Sequence, residues 1–206
     1  MRTLSIAILL GLAAGVVLAD IAPDHLEFEA DQVPLHLLIV PDGSGPGFPD
    51  ARLEDGSTWD RPFRVRPWVW IWQGPDEPVP VPGYPAEDAW FVTTGGGVGC
   101  PGGSHPDGPA DAEGWLTWTD PVAGGGALAS ADVQLYLAGL PFDEVLPLTF
   151  ASPDLSGDDT VDLTDVTLFA AALGTGDPAQ ADLDGDGDVD LTDIVRFVPA
   201  IGATCP

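Results

Sequence analysis

The chain has no lysine, one methionine and two cysteines, and its basic charge rests on six arginines at positions 2, 52, 61, 64, 66 and 196. Against these stand 33 acidic residues, for a formal net charge of −27. Without clusters of cationic side chains the chain cannot neutralise a phosphate backbone or an anionic lipid surface, which excludes nucleic acid and membrane-surface binding. Cations are the partners such a chain attracts. Uninterrupted helical stretches are also scarce, because 26 Gly and 22 Pro punctuate the sequence, and short strands joined by turns are expected. The chain is nevertheless not a disordered acidic tail, since 45% of its residues are hydrophobic and seven are Trp.

One long apolar run is present. Residues 1–19 read MRTLSIAILLGLAAGVVLA, with a single Arg at the start and small or aliphatic residues before Asp20. This pattern is that of a secretory signal, too short in its apolar part for a comfortable bilayer span, so the mature protein is expected to begin near Asp20. The protein is therefore expected to be secreted or held at the cell surface, with no membrane insertion after cleavage. In that compartment Cys100 and Cys205 are a possible disulfide tying the C-terminus to the N-terminal region. The competing role, Cys100 as a nucleophile beside His105, lacks an orienting third group.

The C-terminal quarter is an internal repeat. Laid over one another from Asp154 and Asp182, DLSGDDTVDLTDVTLFAAALG matches DLDGDGDVDLTDIVRFVPAIG, with Asp158 on Asp186, Asp162 on Asp190, Phe169 on Phe197 and Gly174 on Gly202. In each copy oxygen-bearing residues fall at positions 1, 3, 5, 9 and 12 of a twelve-residue loop, the spacing a Ca²⁺ ion needs to gather about six to eight oxygens, with a backbone carbonyl at position 7. The ligands expected in the first loop are Asp154, Ser156, Asp158, the Thr160 carbonyl, Asp162 and Asp165. In the second they are Asp182, Asp184, Asp186, the Asp188 carbonyl, Asp190 and Asp193. Two Ca²⁺ ions are expected, the second loop binding more tightly, because the first has neutral Ser156 at position 3 and Asp159 where the second has Gly187 for a sharp turn.

After each loop comes an apolar pattern at helical spacing, Val166, Phe169 and Leu173 in one copy and Ile194, Phe197 and Ile201 in the other. Gly174 and Gly202 stand where C-caps are expected, and Pro199 should shorten the second helix. A loop followed by a helix, with no entering helix, Asp at position 12 and one duplication, resembles the dockerin family over about residues 152–202. The resemblance implies two bound calcium ions, a pair of packed helices, and a cohesin-like protein partner in complexes linked to polysaccharide breakdown. It also implies that loop positions 10 and 11, here Leu163 and Thr164 and again Leu191 and Thr192, help choose that partner.

Between residues 20 and 150 short strand-like runs (HLEFE, LHLLIV, DARLED, FRVRPWVWIW, AWFVT, WLTWT, VQLYLAG and LPLTF) alternate with Gly- and Pro-rich turns, and an antiparallel β-sandwich is expected. The stretch from VPVPGYP through DAEGWLTWT and VQLYLAG to LTF is similar to bacterial immunoglobulin-like, invasin-type domains. The expected fold class is thus mainly β with a small α module: an Ig-like sandwich over 20–150, then a two-helix calcium module over 151–206. In RVRPWVWIW, Trp68, Trp70 and Trp72 share a face with Arg64 and Arg66, opposite Phe63, Val65, Val69 and Ile71. An exposed indole row is a possible polysaccharide-stacking surface; burial under a loop or neighbouring domain is the commoner fate. No paired carboxylates flank a recognisable cleft, so a non-catalytic docking protein is expected, with an adhesin or carbohydrate-binding sandwich as the alternative.

Overall fold

The computed structural model describes residues 25–28, 34–69, 77–93, 100, 103–125, 131–175 and 181–206. The signal segment, Trp70 and Trp72 lie outside these residues. Nine strands are described: β1 (His25–Phe28), β2 (Leu35–Leu38), β3 (Arg52–Leu53), β4 (Phe63–Val69), β5 (Val79–Pro80), β6 (Ala89–Thr93), β7 (Leu116–Trp118), β8 (Ala131–Leu137) and β9 (Leu140–Ala151). After them the described residues include two longer helices, α1 (Leu163–Thr175) and α2 (Leu191–Phe197). The chain is mainly β with a small helical unit.

The strands form two sheets. In one, β4 pairs with β1, β5 and β7; in the other the order is β3-β2-β9-β8-β6. Alternation along β4 places Phe63, Val65 and Val69 inside and leaves Arg64, Arg66 and Trp68 half-buried on the outer face, as the period-two pattern requires. Between the sheets lies an aromatic core in which Phe91 contacts Trp118 at 4.7 Å and Phe150 at 5.7 Å between ring centroids. Trp118 is fully buried and donates its indole N–H to the Ser104 carbonyl at 3.1 Å, so the one polar atom it brings inside is satisfied.

The sheets are not purely antiparallel, in contrast to the expectation. β2 runs parallel to β9, with Leu35 opposite Leu148 and Leu38 opposite Ala151. β9 is 12 residues long. Along one edge it pairs with β8 as far as Phe150, and along the other its last four residues lie beside β2, which is far away in sequence and so free of any hairpin constraint on direction.

The second sheet is also buried on both faces where β2 and β9 meet. Leu35, Leu37, Ile39, Leu146, Leu148 and Phe150 belong to the core between the two sheets. Their neighbours Leu38, Val40 and Ala151 belong instead to a second core with Val161, Phe169, Leu183, Val189 and Phe197. The helical unit is therefore a third layer on this sheet. The run LHLLIV, apolar but for His36, is what a doubly covered strand needs, and half-buried His36 faces the helical side with Leu38 and Val40.

Within that layer Phe169 and Phe197 stack at 4.8 Å, bringing the two copies together. The expected stripes are only partly buried, because Leu173 is 37% and Ile201 50% exposed while Ala172 and Ala200 lie inside. Gly174 is not a C-cap: α1 continues to Thr175, whose hydroxyl donates to the Ala172 carbonyl at 3.0 Å. Gly202 does take a left-handed φ of 94°, and α2 ends at Phe197 in a short 3₁₀ turn, Val198–Ala200, that accommodates Pro199.

Candidate metal centre

Each acidic loop is first organised by its own carboxylates. In the first, Asp154 accepts backbone N–H bonds from Gly157 and Asp159, both at 2.9 Å, and Asp165 accepts from Ser156 and Asp162, both at 2.8 Å. In the second, Asp182 accepts from Gly185 at 2.7 Å and Gly187 at 3.0 Å, and Asp193 accepts from Leu183 at 2.7 Å and Asp190 at 2.8 Å. Position 1 thus curls the front of each loop and position 12 closes it. Asp154, Asp165 and Asp193 have no exposed surface. A Cβ added at Gly125 of the sandwich would lie 2.5 Å from Asp154 Oδ2, so that glycine makes room for the ligand.

Asp158, Asp162, Asp186, Asp188 and Asp190 are exposed, and Ser156, Thr160, Asp182 and Asp184 are half-buried. Asp158 and Asp186 close tight turns on the N–H of Thr160 and Asp188, at 3.1 and 3.0 Å. Asp162 and Asp190 accept from the N–H of Thr164 and Thr192, both at 2.6 Å, and Asp190 is the N-cap of α2 with a reciprocal Asp193 bond. These backbone bonds, aided by the Thr hydroxyls, hold both carboxyls below their ordinary range. Asp159 takes a left-handed φ of 65° where the second loop has Gly187 at 92°, so the first loop carries a side chain in a conformation that favours glycine. Thr160 pairs with Thr204 of the C-terminal tail.

In the second loop Asp182, Asp184 and Asp193 converge, each offering an oxygen, all within 4.8 Å of one another. Asp184 Oδ1 is buried and has no hydrogen-bond partner. An unpartnered buried carboxylate oxygen is costly in a protein interior, and a hard cation among three carboxylates supplies the missing partner, so the residues fit Ca²⁺. Burial, reinforced by the charge of Asp184, raises the Asp193 carboxyl above its ordinary value against the opposing pull of its backbone donors.

No family profile, curated protein or solved structure matches this chain.

Calcium uptake should consequently be proton-linked. Because Asp193 is raised in the metal-free fold, its ionised form costs stability above that pKa, and this cost disappears as the pH falls toward the ordinary carboxylate value of about 4. Ca²⁺ requires the ionised form. A cation gathered by the second loop would therefore be held more weakly as the pH falls toward the carboxylate range, measurable by calorimetric titration with CaCl₂ at a series of pH values.

The residues expected to choose a partner lie at the surface: Leu163 is 81% and Leu191 73% exposed, and Thr164 and Thr192 are exposed beside them. Cys100 and Cys205 form a disulfide, which leaves no thiol for catalysis. On the outer sheet the Arg66 guanidinium lies 4.7 Å from the Trp68 ring and 4.5 Å from the ring of Trp115, and Arg64 lies 5.0 Å from Trp115. Glu27 accepts from Arg66 and, at 3.0 Å, from the Trp68 indole N–H, while Arg64 pairs with Asp111 at 2.8 Å. Trp68 is thus partly covered by its own neighbours. Truncating Trp115→Ala removes the ring shared by both arginines and should cost about 1–2 kcal/mol in urea unfolding, with calcium binding unchanged.

His36, Gly125, Trp115 and Glu27 all bear on these sites and escaped sequence reasoning. Only His36 carried a signal, as the one polar residue in an otherwise apolar strand.

Proposed function

We propose that this is a secreted, non-catalytic protein whose C-terminal unit is a calcium-dependent, dockerin-like module that binds a cohesin-like partner and anchors an Ig-like sandwich in an extracellular or cell-surface complex. The observation that carries the proposal is the convergence of Asp182, Asp184 and Asp193 around a buried carboxylate oxygen that lacks a partner. Exposed Leu163 and Leu191, at equivalent places in the two copies, supply the apolar contacts a protein partner needs. Capture of a panel of purified cohesin modules by the full-length protein, in Ca²⁺ and in chelator, tests it. Calcium-dependent capture, lost in Leu163→Asp/Leu191→Asp while calcium uptake persists, is expected; calcium uptake without capture of any cohesin refutes the docking role.

A second role is favoured by one observation. The acidic loops share a core with β2 and β9 of the sandwich, so calcium would serve as an internal staple and the sandwich as an adhesin or carbohydrate-binding surface. The partial covering of Trp68 by Arg66 counts against stacking of a sugar on that ring.

A further inference from the structure

We infer that His36 of the sandwich is a positioning residue for the second calcium loop, its imidazole seated against Gly185 so that the loop backbone keeps the shape that gathers Asp182, Asp184 and Asp193. The inference rests on the calcium assignment above and extends it to a residue outside the repeat.

The contact is close and specific. A Cβ built on Gly185 would lie 2.5 Å from His36 Cγ, 2.8 Å from Cδ2 and 2.9 Å from Cβ. Gly185 is also left-handed, with φ at 75°, so glycine is required there both for conformation and for room. Gly187, two residues on and equally left-handed at 92°, has nothing within 4 Å of its added Cβ. The two glycines separate conformational strain from contact with the sandwich.

The ring itself is placed by packing. The ring faces the loop, where the Leu183 carbonyl and the charges of Asp182, Asp184 and Asp193 act on it, and Nδ1 has a long 3.5 Å contact with the Thr149 hydroxyl. It projects from a strand whose two neighbours on the same face, Leu38 and Val40, are fixed in the core shared with the helices. A loop carrying six carboxylates in twelve residues repels itself when no ion is present. A rigid wall against its backbone lowers the ordering cost of loading, as preorganisation does in any binding site. The first loop meets the sandwich differently, through Asp154 against Gly125, so the effect belongs to the second site.

Calorimetric titration of the full-length protein with CaCl₂ tests this, alongside thermal unfolding in chelator to report the fold itself. Gly187→Ala measures left-handed strain alone, whereas Gly185→Ala adds collision with the imidazole and should weaken the second site about tenfold more, on the usual scale of overpacking. His36→Ala alone should weaken the second site, because the wall is gone; in that background Gly185→Ala should cost no more than Gly187→Ala does, the space the methyl needs being vacant. His36→Val frees the same space with a residue suited to a strand and serves as the second background should His36→Ala fail to fold. The first site should be unchanged throughout. Equal losses in Gly185→Ala and Gly187→Ala, an excess for Gly185→Ala that persists in these backgrounds, or no weakening by His36→Ala, overturn the role of His36 but not the calcium assignment. Absence of any calcium uptake by the unaltered protein overturns the calcium assignment as well.

Discussion

Asp193→Ala is expected to abolish calcium uptake by the second loop and to leave one binding event in calorimetry. Its carboxylate is fully buried and does two jobs, meeting Asp182 and Asp184 at the centre of the loop and accepting the N–H groups of Leu183 and Asp190. Alanine deletes the ligand and strands these donors together with the Asp184 N–H, which lies 3.3 Å from the same carboxylate, each worth about 1–3 kcal/mol when buried and unpaired. Loss of the ion removes a further ~2.7 kcal/mol at a hundredfold excess of Ca²⁺ over Kd. Asp193→Asn separates the two jobs in part, since it loses the charge and keeps one of the two acceptor oxygens: calcium uptake should still fail, while the melting temperature in chelator should fall less than in Asp193→Ala. Ser156→Ala should do far less. Its hydroxyl makes only a 3.4 Å contact with Asp154, and the backbone N–H that organises the loop is untouched.

Reduction of Cys100–Cys205 should produce the other large effect. The bond joins residues separated by 105 positions, and closing a loop of that size restricts the unfolded chain by about 4–5 kcal/mol on the entropic account. Urea unfolding with and without reductant, or with Cys100→Ser, measures it. The loss should also be selective between the calcium sites. The C-terminal tail that Cys205 anchors lies along the first loop, with Val161 donating to the Ala203 carbonyl at 2.9 Å, Gly202 to Val161 at 2.8 Å and Cys205 to Asp159 at 3.1 Å. Freeing the tail loosens that loop, so reduction should weaken the first calcium site more than the second. Equal weakening, or none, would show that the tail contributes nothing to the first loop.

These couplings change what chelation is expected to do. The repeat alone suggests a module that unfolds on calcium removal and leaves the sandwich intact. Yet Leu38, Val40 and Ala151 lie in the core that the helices close, and β9 ends three residues before Asp154. Loss of calcium order therefore exposes one face of β2 and the end of β9, and amide protection in those two strands should fall together with that of the loops.

Much of the acidic unit was legible from residue spacing, because loop geometry there is local. Carboxylates at fixed offsets reach the backbone N–H groups of their own loop, as Asp154, Asp165, Asp182 and Asp193 do. The face pattern of β4 was legible for the same reason, alternation being a property of one strand. The end of α1 was misjudged at Gly174, where glycine permits a stop but does not compel one.

Sequence by itself determined the repeat, the oxygen spacing, the preponderance of short strands and the sides of β4, all of which follow from contacts between residues close along the chain. Only the tertiary structure decided the parallel pairing of β2 with β9, the third layer on that sheet, the Cys100–Cys205 bond and the meeting of His36 with Gly185. Each of these joins residues that no local rule relates. Their pairing depends on how whole faces pack, and packing is set by the shape and burial of distant side chains together.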